Sequence, residues 1–423
     1  MKWLNLKYVD KTYWALFIAL IVVAVIALFS AGSTLVYERH SVLGPVFTQM
    51  MWLCIGIATA FLIQFMPSMY IRAGGYALLF FSLVCLYFIM LFPHSSMVAT
   101  INGASRWIKI GGITFQPSEL AKLSLLIVVA DLLARIRTEA DKKRYFYWTL
   151  GLTAATCLPI MTGNLSTAVL LAGIVLLMWV LAQLPWKYIG ATVGIALLLL
   201  VAGYMIVEFG FVRRHKKMSG PFARAVTWVG RIDDIFTERH QDAAEFKLTD
   251  DNYQRSIAKV AVARGGKTPL GVLPGNSQER DYLPQAYADY IFAIIVEENG
   301  MVGVVVLIFI YIMILFRACM TSSRFGDYAA MLMVMGLALM LTCQALVSMM
   351  VAVGLGPVTG QPLPLISRGG TSAIITSVYF GIIMAVSREQ KELSERQRRT
   401  TDASQEDIPD IEIDELRLEI SEI

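Results

Sequence analysis

Residues 13–32 read YWALFIALIVVAVIALFSAG, with no Lys, Arg, Asp or Glu among them. At 1.5 Å of rise per residue this run makes about 30 Å of helix, the thickness of a bilayer's hydrocarbon core. Signal-peptide cores are shorter, so the run reads as an anchor that stays with the protein. Working outward from it, runs of the same kind recur near 47–66, 74–93, 117–135, 146–163, 165–184, 187–208, 290–317, 327–350 and 370–387. The expected fold is therefore all-α and membrane-integral, with about ten transmembrane helices. Composition points the same way. Of 423 residues, 57% are hydrophobic and 16% charged, where a soluble domain carries about a quarter charged; mean hydropathy is +0.61. A formal net charge of +4 gives no signature of nucleic-acid binding. The five cysteines and four histidines are scattered and show no metal-ligand spacing.

Lysine and arginine in short connections set orientation, because they stay on the cytoplasmic side. Lys2, Lys7 and Lys11 precede the first span, and Arg135, Arg137, Lys142, Lys143 and Arg144 follow the fourth. Arg317 and Arg324 follow the eighth, and Arg388, Lys391, Arg396, Arg398 and Arg399 follow the tenth. With ten spans all four groups share one side, so both termini are expected in the cytoplasm. Residues 1–12 are then a cytoplasmic N-terminus, 13–387 the membrane domain, and 209–287 a large extracytoplasmic loop. That loop is also basic, through Arg213, Arg214, Lys216, Lys217, Arg224 and Arg231, but loops this long escape the charge rule. Residues 388–423 turn acidic toward their end and read as a disordered cytoplasmic tail.

Three polar clusters on the outer side are not explained by membrane burial. The first is Asn102-Gly103-Ala104-Ser105-Arg106-Trp107-Ile108, with Phe115-Gln116-Pro117-Ser118-Glu119-Leu120-Ala121-Lys122 after it. Pro117 suits the first position of a helix. Glu119 and Lys122 then share a helical face about one turn inside the bilayer, where ionisable groups face a protein interior or a wet cavity. They make either a structural ion pair or part of an anion site. The second cluster ends in Leu283-Pro284-Gln285-Ala286-Tyr287-Ala288-Asp289-Tyr290-Ile291-Phe292. Counting back from Arg317 places Asp289 about 12 Å outside the hydrocarbon core, at headgroup level. It is either a helix N-cap or a general base. The third cluster is Pro357-Val358-Thr359-Gly360-Gln361-Pro362-Leu363-Pro364-Leu365-Ile366-Ser367-Arg368-Gly369-Gly370-Thr371-Ser372. Irregular backbone of this kind beside a span is tolerated where it lines a cavity.

In this order the three clusters resemble the SEDS family of bacterial cell-envelope proteins, which includes FtsW, RodA and SpoVE. The resemblance runs from about residue 13 to 390, and the first cluster is more similar to the FtsW branch than to RodA. It implies a ten-helix fold and polymerisation of lipid II into glycan strands during septal wall synthesis. Asp289 matches the family's essential outer Asp. Arg106, Trp107, Glu119 and Lys122 match its motif around the fourth span, and Ser367 its serine near the last; the resemblance implies that these residues bind substrate. Two departures stand out: Arg368 replaces the usual Tyr, and Gly163-Asn164-Leu165-Ser166-Thr167 lacks the family's aspartate. Implied partners are lipid II, a class B penicillin-binding protein and other membrane proteins of the division machinery, in the bacterial cytoplasmic membrane.

The implied reaction expels undecaprenyl diphosphate. A hydroxyl nucleophile calls for a carboxylate base, for which Asp289 is the candidate. The departing diphosphate calls for cations: Arg106, Lys122 and the Arg213, Arg214 and Arg224 group, or a divalent ion such as magnesium or manganese. No cofactor or metal ligand is assigned from the sequence. Two other classes of function stay open. A lipid II flippase would use polar groups at several depths, and Glu119, Lys122, Asp131, Glu297 and Glu298 are available. A scaffold would only recruit a transpeptidase. A RodA-like role in elongation is the alternative within the family.

Overall fold

The structure is a computed structural model and describes residues 6–31, 43–101, 104–110, 113–212, 225–226, 228–230, 252–283, 287–356 and 360–406. Among the described residues, a long helix stands at each of the ten places where the sequence puts a span. These are α1 (Lys11–Ala31), α2 (Leu43–Ile63), α3 (Ser68–Leu91), α4 (Pro117–Ala134), α5 (Glu139–Gly163), α6 (Leu165–Leu181), α7 (Trp186–Val207), α9 (Ile291–Ser322), α10 (Tyr328–Ala352) and α11 (Gly370–Glu406). A shorter helix, α8 (Tyr253–Gly265), lies between α7 and α9. Seven of the ten long helices are apolar and long enough to cross a membrane on those grounds alone. Of the others, α6 is apolar but has 17 residues, α4 carries Glu119, Lys122 and Asp131, and α5 is rich in threonine. The molecule is an all-α integral membrane protein.

Burial divides the helices into an inner and an outer set. Nearly every residue of α4 is buried, and most of α10. By contrast α7 buries only Ile189 and Val207 and turns Leu197, Leu198 and Leu199 outward, as a lipid-facing helix should. Close packing relies on small residues. A methyl group at Gly56 of α2 would meet Ser377 of α11, and one at Gly381 would stand 3.1 Å from the Cα of Ala60. This is the small-residue contact by which membrane helices approach without a hydrophobic driving force.

Ion pairs join helix termini at one end of the bundle. Asp10, which precedes α1, meets Arg317 of α9 at 2.6 Å and Lys391 of α11 at 3.0 Å. Burial alone would raise the Asp10 pKa, but these two cations outweigh it and hold the carboxyl below its ordinary value. Arg72 of α3 meets Asp327, the N-cap of α10, at 2.7 Å, and Arg135 meets Asp131 of α4 at 2.6 Å. Arg388 donates to the backbone carbonyl of Gln64 at 3.0 Å. This basic end gathers the starts of α1, α3 and α10 with the ends of α4, α9 and α11, as an alternating path requires.

At the opposite end the structure adds three features to the all-α reading. Between α3 and α4 the chain forms an antiparallel sheet of β1 (Val98–Ile101), β2 (Ala104–Ile110) and β3 (Ile113–Phe115) in the order β1-β2-β3. Ile108 seats it on Cys85 and Ile89 of α3. Second, α9 is broken at Gly300, whose φ of 59° and ψ of −154° leave the helical region. An unbroken helix of 32 residues would be about 48 Å long, well beyond the hydrocarbon core; the break separates a short buried first segment, before Gly300, from a longer apolar one that starts at Met301. Third, α8 packs on that first segment through Ala258, Ala261 and Gly265. A methyl group at Gly265 would fall on the backbone of Val296 and Glu297, and one at Gly271 (φ +64°) would stand 2.6 Å from the amide nitrogen of Gly300.

One expectation is corrected. The segment from residue 388 was read as disordered, yet α11 continues unbroken to Glu406. No Gly or Pro interrupts residues 382–408, and Glu392 pairs with both Arg388 and Arg396 one turn away on either side, which supports helix. Residues 407–423 lie outside the described residues.

Candidate active site

The site is built where the sheet, the turn before α9 and the loop between α10 and α11 meet. In the sheet, Ala99 pairs with Trp107 and Thr100 with Ser105, so Arg106 is the extra residue of a β-bulge. A bulge re-aims a side chain. The Arg106 stem passes Gly163 at the end of α5, where a methyl group would stand 3.1 Å from its Cγ. Its guanidinium reaches Gly360. The position a Cβ would take on Gly360 lies 3.8 Å from Nη1 of Arg106 and 3.8 Å from Oδ2 of Asp289. The cation and the carboxylate are thus no more than about twice that distance apart. Gly360 has a φ of +57°, a conformation few other residues adopt.

Asp289 stands two residues before α9, and the N-cap position belongs to Tyr290 instead. The turn that carries Asp289 is fixed by the loop opposite. The Ser367 hydroxyl donates to the carbonyl of Ala288 at 2.6 Å and accepts from the amide of Leu363 at 2.8 Å. The Arg368 amide donates to the carbonyl of Tyr287 at 2.9 Å. Ser367 is buried, and its hydroxyl is engaged inside the protein.

Glu119 and Lys122 lie deeper. Pro117 begins α4 as expected, and Lys122 meets Glu119 at 2.8 Å with both side chains nearly inaccessible. The Lys122 ammonium also donates to Gln344 Oε1 of α10 at 2.8 Å, and Gln344 Nε2 donates to the carbonyl of Pro362 at 3.1 Å. A polar path therefore runs from the buried ion pair into the loop that carries Gly360 and Ser367. Gln344 gives no signal in the sequence, since its partners Lys122 and Pro362 are remote along the chain or on another helix. Trp107 is half-buried in β2, next to Arg106. Asn164, in place of the family's aspartate, caps α6 by accepting from the amide of Thr167 at 3.3 Å. Arg213, Arg214 and Arg224 lie outside the described residues.

The other membrane-depth acids are held by protein groups. Asp131 sits at the basic end with Arg135 and with the Tyr76 hydroxyl at 2.8 Å. Glu297 accepts from the Ser277 hydroxyl and from the amide of Gln278 at 3.1 Å. Glu298 accepts from the Ser30 hydroxyl and from the amide of Gly275 at 3.2 Å. These two carboxylates bind the loop after α8, and the end of α1, to the break in α9. Among the described residues no three His, Cys, Asp or Glu side chains gather into a group that could hold a metal ion.

A bundle of membrane helices with a polar site at one end, walled by two interhelical loops and a small sheet, defines the class. The sequence profile of a family described as cell cycle protein, that of FtsW, RodA and SpoVE, matches residues 10–392. The chain belongs to this family. Relatives include peptidoglycan glycosyltransferase MrdB of Escherichia coli strain K12, 27% identical over 92% of this chain and 95% of that protein. Two others carry the name probable peptidoglycan glycosyltransferase FtsW. That of Marinomonas mediterranea is 29% identical over 95% of both chains. That of Nitrosomonas europaea is 32% identical over 69% of this chain and 70% of its own. Among solved structures, a chain from a peptidoglycan synthase complex that coordinates polymerization and crosslinking superposes with a TM-score of 0.68 at 26% identity, covering 91% of this chain and 99% of that one. The rod shape determining protein RodA of Thermus thermophilus gives 0.62 at 23% identity, over 92% and 99%, and shares the fold.

Proposed function

We propose that the chain is a peptidoglycan glycosyltransferase that polymerises lipid II. The observation that carries this reading is the convergence of Arg106 and Asp289 on Gly360. In the reaction, the 4-hydroxyl of one unit's GlcNAc attacks the anomeric carbon of the other's MurNAc. The carbon–oxygen bond to the diphosphate breaks, and its electron pair leaves with undecaprenyl diphosphate. The hydroxyl proton passes to the Asp289 carboxylate. Arg106 meets the charge that develops on the departing diphosphate, with Arg213, Arg214 and Arg224 as further cations from the long loop. Attack opposite the leaving group inverts the anomeric centre, so one base suffices and no covalent enzyme intermediate is formed.

Glu119, Lys122, Gln344 and Ser367 act in this reading as positioning residues. The ion pair lies too deep to meet a headgroup directly, and its bonds end on the loop that faces Asp289. Removing one member of such a buried pair costs about 3–5 kcal/mol, so the loop is firmly held. We place both termini in the cytoplasm and the site on the outer face of the cytoplasmic membrane, at the division septum. A class B penicillin-binding protein is the partner that crosslinks the strands.

Asp289→Asn tests the proposal in purified full-length protein given lipid II in detergent. Asn keeps the size and caps helices as well as Asp does, but it takes no proton. Strand synthesis should fall about 10²–10⁴-fold while the thermal melt is unchanged. Near wild-type synthesis removes Asp289 from the mechanism. Polymer made in detergent by the wild type also separates an enzyme from a transporter, because flipping needs a bilayer.

A further inference from the structure

The site holds a second guanidinium that none of the roles above uses. Arg368 is half-buried, and its side chain lies over the ring of Tyr287, 5.0 Å from guanidinium carbon to centroid. Stacking of this kind holds the guanidinium plane without using its N–H donors. Among the described residues Arg368 makes no ion pair, and none of its side-chain nitrogens donates a hydrogen bond. A partly desolvated cation usually finds a carboxylate, and this one is held by an aromatic face instead.

Its placement is specified by the same contacts that fix Asp289. The Arg368 amide bonds the Tyr287 carbonyl at 2.9 Å, and the adjacent Ser367 hydroxyl bonds the Ala288 carbonyl at 2.6 Å. The two segments are zipped together over successive residues, and Asp289 is the next one along. Two residues of chain span at most about 7 Å, so the Arg368 backbone stands within about 10 Å of the Asp289 backbone. An arginine side chain reaches across much of that gap.

We infer that Arg368 is a substrate-positioning residue that grips the diphosphate of a lipid-linked sugar. A planar fork of unclaimed donors matches the paired oxygens of a phosphate group. The inference rests on the reading of the chain as a lipid II polymerase, and it adds a contact outside the Arg106–Asp289 pair.

The test uses full-length protein in detergent with farnesyl diphosphate as the probe and farnesol as its uncharged control. Wild-type protein should bind the diphosphate more tightly than the alcohol. Arg368→Gln should weaken diphosphate binding about 10- to 100-fold, the size of a lost charge-assisted hydrogen bond, with farnesol binding and the melt unchanged. Arg368→Lys keeps the charge but not the fork, and should recover part of the affinity. In turnover, Arg368→Gln should raise KM for lipid II far more than it lowers kcat. Unchanged diphosphate affinity in Arg368→Gln overturns the inference, as does equal behaviour of the Lys and Gln variants, which marks a structural role or a peptide-carboxylate contact. Failure of the wild type to make polymer instead overturns the enzymatic reading, and diphosphate binding is measured independently of it.

Discussion

Gly265→Ala is the most informative perturbation of the scaffold. The added methyl group would lie 2.6 Å from the carbonyl carbon of Val296 and nearer still to two other backbone atoms, where ordinary contact begins at 3.4 Å. Backbone atoms cannot rotate away, so α8 and the first segment of α9 must separate by at least about 0.8 Å. Overpacking of this kind costs about 1–3 kcal/mol. The strain also reaches the chemistry, because the displaced segment begins two residues after Asp289. A misplacement near 1 Å in a reacting group costs about 10²-fold in rate. Two assays follow: thermal unfolding in detergent, and lipid II polymerisation per folded molecule. Gly151→Ala is the control, since a methyl group there meets nothing within 4 Å and replacing a helical glycine adds about 0.5–1 kcal/mol. Gly265→Ala should melt lower and lose at least tenfold in synthesis. If it melts and polymerises as Gly151→Ala does, the packing of α8 does not set the position of Asp289.

Gln361 is buried, and among the described residues neither atom of its amide has a hydrogen-bond partner. Gln361→Leu should therefore raise stability to denaturant by about 1–3 kcal/mol; no gain would mean that the amide is satisfied in solution. Orientation is read by placing a single cysteine at exposed Lys267 in a cysteine-free background. An impermeant thiol reagent should label it in intact spheroplasts, and protection until lysis would reverse the assigned topology.

The helices were legible because a span needs about twenty apolar residues and few other structures do. The sheet was missed although its signal is present: Asn102-Gly103 and Gly111-Gly112 are two-residue links between runs rich in Ile and Thr, the pattern of tight hairpins. In the tail, charge points to disorder, but the absence of Gly and Pro from 382–408 favours the helix that the structure shows to Glu406. Residue types pointed to Asp289 and Arg106, which the structure brings together on Gly360, but not to the bulge that aims the arginine. For Glu119 and Lys122 the sequence left ion pair and anion site open, and the structure shows the pair. For Ser367 the resemblance implies a contact to substrate, and the structure adds that its hydroxyl bonds the Leu363 amide and the Ala288 carbonyl. Such assignments depend on partners far along the chain.

The length of α11 has a consequence for the residues that follow it. From Arg388 to Glu406 the helix adds about 28 Å of rod beyond the membrane-crossing part. Charges in physiological salt are screened within about 8 Å. Along the rod's axis, the acidic terminal segment is therefore joined more than three screening lengths from the level of Arg388. At that separation the cations near Arg388 exert almost no pull on it. The rod works as a spacer: it sets the start of the acidic sequence apart from the basic end of its own bundle.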